Sequence, residues 1–209
     1  MLNNAALIVA GGSGSRFGSD LPKQYHKFKN GRSILQETIL AFTSHPMIDL
    51  VCIVLCEKYQ SEVDVLKTYS GKTRQESVRN GLSFLQQYKP KQVLIHDGVR
   101  PFVSQNLISQ VIAQLETYEA VDIGLPIVDT IKTYDGVVIP REKLYASQTP
   151  QGFHFNIISS LHEQATENYT DDISLYLANG GKKLCVVAGD QQNIKITYKE
   201  DLLVHRSLP

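Results

Sequence analysis

A continuous apolar run over residues 5–10 that stops at Gly11-Gly12 constrains this chain more than any other stretch. An unbroken run of that length predicts a strand buried on both faces, the kind that parallel sheets are made of. The two glycines after it allow a sharp backbone turn and bring N–H groups close to a ligand with no Cβ in the way. N–H groups gathered in such a loop suit phosphate oxygens. Arg16 and Lys23 add full positive charge beside the loop, and Pro22 stiffens the approach to Lys23. The stretch therefore reads as a polyphosphate site. Two familiar glycine loops do not account for it. A dinucleotide fingerprint would need glycine where Phe17 stands, and a P-loop would close this loop with Gly-Lys-Ser/Thr, which it lacks.

With 209 residues the chain has room for one domain, residues 1–209, with a substantial core. Its formal net charge of +0 gives no general attraction to nucleic acid or to an anionic membrane, so basic character must be local. No apolar stretch approaches the length of a membrane span, and the first strand follows the N-terminus at once. The expectation is a cytoplasmic protein that binds neither nucleic acid nor membrane. Cys52 and Cys56 would share one face of a strand and Cys185 lies in another, with no Cys/His cluster to complete a metal site. All three read as small buried hydrophobes.

Helix and strand patterns alternate along the chain, which predicts a mostly parallel sheet with helices on both faces. Residues 33–44 read as a helix capped by Ser33 with Gln36 three positions on. Residues 51–55 read as a strand, and residues 57–69 as a short helix and a short strand. Gly71 opens a second loop. Arg74, Ser77 and Asn80 begin a helix reaching about residue 88, where Arg74 and Ser77 either face one ligand or belong to an ordinary capped helix start. Residues 93–95 form a central strand with His96-Asp97 at its carboxyl end, where ligands of open α/β sheets collect. Asp97 there can hold a magnesium ion accompanying a nucleotide triphosphate, and Arg100 a second phosphate; alternatively the two form a salt bridge within the loop. Ser104 caps the next helix, and residues 121–128 are another strand. The alternation then breaks at residues 131–139, two short strands around Asp135-Gly136, a hairpin that would pack on a partner subunit. Pro150 and Gly152 are expected to keep residues 147–153 irregular. Thr170 and Asp171 are helix caps or ligand contacts, residues 184–188 a strand, residues 192–197 a last short strand, and residues 198–206 a final helix.

Gly11-Gly-Ser-Gly-Ser-Arg16 followed by Pro22-Lys-Gln-Tyr25 resembles the signature of sugar-nucleotide pyrophosphorylases and related nucleotidyltransferases. Arg74-Gln-Glu-Ser-Val78, His96-Asp-Gly-Val-Arg-Pro-Phe102, Asp129-Thr130, Gln148-Thr-Pro-Gln151, Thr170-Asp171 and Asn193-Ile-Lys-Ile-Thr197 then occur in the order found in the 2-C-methyl-D-erythritol 4-phosphate cytidylyltransferases. The chain resembles that family over essentially its whole length. The resemblance implies a Rossmann-like α/β sheet with a protruding β-arm, at about residues 130–141, that interlocks two subunits into a homodimer. It implies transfer of CMP from CTP to a polyol phosphate, with pyrophosphate released and Mg2+ or another divalent cation required. By motif, Arg16, Lys23, Arg141 and Lys195 would be catalytic. Ala10, Gly11, Gly12, Gly14, Gly71, Ser77 and Asp97 would bind the nucleotide, with Asp97 also near the metal. Arg100, Thr130, Thr149 and Thr170 would bind the second substrate, with Thr130 and Arg141 reaching the neighbouring subunit's site.

Four positions depart from the family pattern: Gly98-Val99 replaces Ala-Ala, Ser70 replaces a glycine before Gly71, and Lys72 stands where an acidic or polar residue is usual. Ribitol- and other pentitol-phosphate cytidylyltransferases share most of these motifs. They tend to carry Pro-Lys-Gln-Phe, where this chain has Tyr25, and a different approach to Gln148. A nucleotide-binding protein without chemistry would have no use for Lys23, Arg141 and Lys195 together.

Overall fold

The computed structural model describes residues 2–12, 14, 17–62 and 64–204, with residues 60–62 and 204 described by their backbone alone. The elements in chain order are β1 (Asn4–Val9), α1 (Ile34–Thr43), β2 (Leu50–Leu55), β3 (Leu66–Tyr69), α2 (Arg74–Leu85), β4 (Gln92–Asp97), α3 (Gln105–Gln114), β5 (Ala120–Pro126), β6 (Ile131–Lys132), β7 (Val138–Ile139), β8 (Tyr145–His154), α4 (Phe155–Gln164), α5 (Asp172–Ala178), β9 (Leu184–Ala188) and α6 (Asp201–Val204). Seven strands make one sheet in the order β3-β2-β1-β4-β8-β5-β9, with only β8 running against the rest. The expected Rossmann-like, mostly parallel sheet is present.

Alternation along β1 splits the core. Ala6 and Ile8 face α1 and α3 through Leu35, Phe42, Leu107 and Val111. Ala5 and Leu7 face α2, α4 and α5 through Val78, Leu82, Phe155, Ile158 and Tyr176. Helices α1, α3 and α5 begin at side-chain caps. Ser33 and Gln36 form a reciprocal capping box, Ser104 accepts from the Leu107 N–H, and Asp171 accepts from the Ser174 N–H.

Several expectations need correction. Residues 147–153 belong to the ten-residue strand β8 at the middle of the sheet. Pairing with β5 shifts between Val121 and Ile123, so residues 149–151 bulge opposite Asp122, and the pairing with β4 covers only residues 151–154. Pro150 therefore sits where no ladder N–H is required of it. Gly152 is needed for packing: a Cβ there would lie 2.5 Å from Val111 Cγ1 of α3. Residues 192–197 are not a strand. Their backbone is satisfied by Arg100 and Gln148 side chains on the Asn193 carbonyl and by the Ile196 N–H on the Val99 carbonyl. Cys52 is buried, its thiol pushed up to about 12 by burial, but Cys56 lies just past the end of β2 and is exposed, while Cys185 is half-buried. The expected final helix is represented by α6, and residues 205–209 lie outside the described part. The hairpin at β6 and β7 pairs Ile131 with Ile139 and Lys132 with Val138, apart from the main sheet.

Candidate active site

The parallel register of β1 and β4 places Val9 opposite Asp97, so the glycine loop and the aspartate leave the sheet side by side at its carboxyl edge. A cleft of about 320 Å³ opens there. Ala10, Gly11, Gly12 and Gly14 line one wall; Gly71, Lys72, Thr73, Arg74 and Ser77 line another; Lys23, Gln24, Asp97, Val99 and Lys195 complete it. Lys23, Lys72, Arg74 and Lys195 face a single carboxylate among the described lining residues, a balance suited to a polyanion.

The glycine loop is held from beneath. The buried Gln24 amide donates to the carbonyls of Ala10 and Gly12, each at 2.8 Å. Among the described residues, no acceptor meets the N–H of Gly11 or Gly12. Gly14 has φ +69° and lies against the Lys23 side chain, 3.2 Å from a Cβ built there to Cγ. Gly11 admits no side chain either, since its Cβ would fall 2.2 Å from Ser70 Cβ, where the two loops touch.

The second loop is equally fixed. Ser77 Oγ accepts from the Gly71 N–H at 3.1 Å and donates to the Thr73 carbonyl at 2.9 Å. The Lys72 N–H donates to Glu76 Oε2 at 2.7 Å, and Thr73 caps α2 by accepting from the Glu76 N–H. Ser77 thus shapes the turn on the wall of the cleft.

Asp97 is the electrostatic centre. Its Oδ2 meets Lys195 Nζ at 2.7 Å and Arg100 Nε at 3.9 Å, and its Oδ1 accepts from Arg74 Nε at 3.3 Å. Burial would raise its pKa, but Arg74, Lys195 and Arg100 together hold it well below the usual carboxylate range. Behind it runs a buried chain of hydrogen bonds. The Arg100 carbonyl can only accept, so His96 Nε2 is the protonated nitrogen of that 3.0 Å bond. His96 Nδ1 then accepts from Thr149 Oγ1 at 3.0 Å, and Thr149 Oγ1 accepts from the Asp97 N–H at 3.1 Å. Burial pushes His96 down to about 4, consistent with a neutral ring.

A family model described as 2-C-methyl-D-erythritol 4-phosphate cytidylyltransferase (IspD) matches residues 4–207. The chain belongs to this cytidylyltransferase family. It is 39% identical to the 2-C-methyl-D-erythritol 4-phosphate cytidylyltransferase of Clostridioides difficile (strain 630), with 95% of this chain and 90% of that one covered. It is also 39% identical to the bifunctional enzyme IspD/IspF of Granulibacter bethesdensis, covering 98% of this chain but 56% of that protein, so it spans about half the length of such relatives. Among solved structures, the 2-C-methyl-D-erythritol 4-phosphate cytidylyltransferase from Thermus thermophilus superposes with a TM-score of 0.83 at 29% identity, covering 97% of each chain.

Of the residues that the cytidylyltransferase motifs single out, the fold brings Ala10, Gly11, Gly12, Gly14, Lys23, Gly71, Ser77, Asp97 and Lys195 into the one cleft. Arg16 lies outside the described residues. Arg100 and Thr149 are buried behind Asp97, and neither lines the cleft. Arg100 donates to the Asn193 carbonyl at 2.7 Å and so anchors the segment carrying Lys195. Thr130 and Arg141 are exposed at the base of the hairpin, where Arg141 donates to the Val128 carbonyl; Thr170 is exposed just before α5. Of the two sequence readings of Asp97 and Arg100, the structure bears out the pair within the loop, and Asp97 also lines the cleft. Arg74 is a wall residue whose guanidinium is already engaged by Asp97 and by Asp172. Motif reading missed the clamp made by Gln24, the support from His96, and Asp172. The first two sit inside motifs already noticed, but their roles depend on which atoms they meet.

Proposed function

We propose that this protein transfers the cytidylyl group of CTP to the phosphate of 2-C-methyl-D-erythritol 4-phosphate, forming 4-diphosphocytidyl-2-C-methyl-D-erythritol and releasing pyrophosphate. The observation that carries the reading is the meeting of Lys23 and Lys195 at the glycine loop, beside one aspartate at the carboxyl ends of β1 and β4.

A phosphate oxygen of the polyol substrate attacks the α-phosphorus of CTP, and the bond to the bridging oxygen of pyrophosphate breaks. The nucleophile is a phosphate monoester with a second pKa of about 6, so it arrives largely ionised and needs no general base. The reaction requires in-line positioning and cancellation of charge on the α-phosphate. The loop N–H groups and Lys23 suit the triphosphate. Lys195 suits the α-phosphate, because its side chain is 40% exposed while those of Arg74 and Arg100 are 26% and 11% exposed. It can leave Asp97 with two guanidinium partners still in place.

Among the described residues no group of three His, Cys, Asp or Glu gathers to hold a metal ion. A lone cleft carboxylate fits the manner in which magnesium is bound alongside substrate phosphates, through one or two protein carboxylates. Asp97 would hold such an ion. When bound, the ion would neutralise charge on the triphosphate. Two copies of the chain would complete the site, the hairpin of one carrying Thr130 and Arg141 to the polyol phosphate bound by the other. The cytoplasm, where CTP is available, is the matching location.

The test is pyrophosphate release from CTP and magnesium with each candidate polyol phosphate. Turnover with methylerythritol phosphate is expected; turnover with ribitol 5-phosphate alone would overturn the substrate assignment.

A further inference from the structure

We propose that Asp172 is a positioning residue for cytidylyl transfer, acting through Arg74 to hold Asp97 in the orientation from which Lys195 is released to the substrate. The proposal rests on the functional reading above. Asp172 is 1% exposed, does not line the cleft, and belongs to none of the residue sets that the family motifs assign to the reaction.

Three elements fix it. His162 Nε2 of α4 meets its Oδ1 at 2.9 Å, Gln151 Oε1 of β8 accepts its N–H at 3.1 Å, and Arg74 Nη1 of α2 meets its Oδ2 at 2.9 Å. Arg74 presents a second edge at the same time, with Nε 3.3 Å from Asp97 Oδ1. The guanidinium is planar and rigid, so fixing Nη1 on Asp172 also fixes the direction of Nε. One rigid group therefore spans two buried carboxylates, one at the reacting centre and one outside it.

This arrangement matters for Lys195. If Asp97 had Lys195 as its main partner, withdrawal of the ammonium would strand a buried carboxylate, which is costly. With Arg74 locked on Oδ1, the charge of Asp97 stays compensated when Lys195 turns to the α-phosphate. Freed from Asp172, Arg74 can swing toward the triphosphate or take both oxygens of Asp97. Either movement disturbs the geometry in which Lys195 is exchanged.

Asp172→Asn is expected to lower kcat about tenfold with KM for CTP changed less than about twofold, the pattern of an interaction made chiefly in the transition state. In an Arg74→Ala background the same substitution should change kcat by less than about twofold, because the route through Arg74 is already gone. Multiplicative losses in the double variant would overturn the proposal. Arg74→Lys leaves Asp172 untouched but cannot present two fixed edges; kcat at the wild-type level in that variant would also overturn it. An activity-independent readout separates this proposal from the functional reading. The Nε–H resonance of Arg74, assigned by its absence in Arg74→Lys, should be sharp and slow to exchange in wild-type protein without substrate. Its loss in folded Asp172→Asn supports the clamp even if wild type releases no pyrophosphate, and identical protection in both proteins overturns it.

Discussion

Lys195 and His96 stand on opposite sides of Asp97, one at the cleft and one in the core, and they predict different things. On the proposed mechanism Lys195→Ala removes a preorganised cation from the reacting phosphate, and deletions of single such groups lower kcat by about a hundredfold or more. Steady-state rates with an unchanged melting temperature are the expected result; a near-normal kcat would end the charge-stabilisation account. His96 predicts a pH effect. Its pKa falls from 6.5 to about 4 on burial, so the folded chain holds fewer protons than the unfolded chain between those values. Its contribution to stability is therefore complete above the unfolded pKa and is lost as pH falls toward the folded one. The loss is on the order of 2 kcal/mol between about pH 7 and about pH 5. Urea denaturation at the two pH values should show a shallower dependence in His96→Gln, and an equal dependence would refute the assignment. At this scale, Lys23 and Asp97 were legible because one follows a proline that fixes its place and the other ends a strand, whereas Lys195 was legible only through the family resemblance. Arg100 and Thr149 were legible as important residues but not as supporting ones, since a motif does not tell which side of a carboxylate a side chain occupies.

Helix α2 is the element on which the second loop depends, and its tight seat on the sheet is testable. Gly81 lies at its middle, where alanine would gain about 1 kcal/mol of helix propensity. A Cβ there would meet Leu7 Cδ1 at 2.4 Å and Val54 Cγ2 at 2.9 Å, both side chains fully buried. Overpacking of that kind costs typically about 1–3 kcal/mol, so Gly81→Ala should destabilise by about 1 kcal/mol in spite of its propensity. A gain in urea midpoint would show that the helix has room to lift. The capped helices were readable because Ser33, Ser104 and Asp171 act within a few residues of themselves. Strand β8 was not, because the bulge that tolerates Pro150 is created by the register with β5, a long-range fact. The irregular run at 192–197 failed in the opposite sense. Its apolar alternation is real, with Ile196 fully buried, but the Arg100 and Gln148 side chains and the Val99 carbonyl take backbone bonds that a ladder would need.

For the molecule as a whole, a single chain leaves the hairpin unexplained. Its ladder is two residue pairs long, and isolated two-stranded hairpins are marginal in water. It nevertheless carries exposed Tyr134, Val137 and Val138, with exposed Val128 at its base and exposed Val186 on the edge strand β9. Exposed apolar side chains along the hairpin fit an interaction surface. The sequence announced the hairpin through Asp135-Gly136, where Gly136 adopts φ +91°. The broken alternation leads to the expectation of a partner subunit there, and the family resemblance to that of an interlocking arm. Deletion of residues 134–138 tests the interlocking arm. None of these residues belongs to the seven-stranded sheet, so the variant should retain its fold, with a melting temperature lowered only by whatever dimerisation contributes. If the proposed arm interlocks two subunits, sedimentation should show a dimer for the wild type and a monomer for the variant. Because Arg141 and Thr130 would reach the partner's polyol phosphate, KM for that substrate should rise far more than KM for CTP, whose cleft lies within one chain. An unchanged oligomer would remove the arm from the interface. A monomer with unaltered KM for the polyol phosphate would keep the interface but return the second substrate to residues of a single subunit.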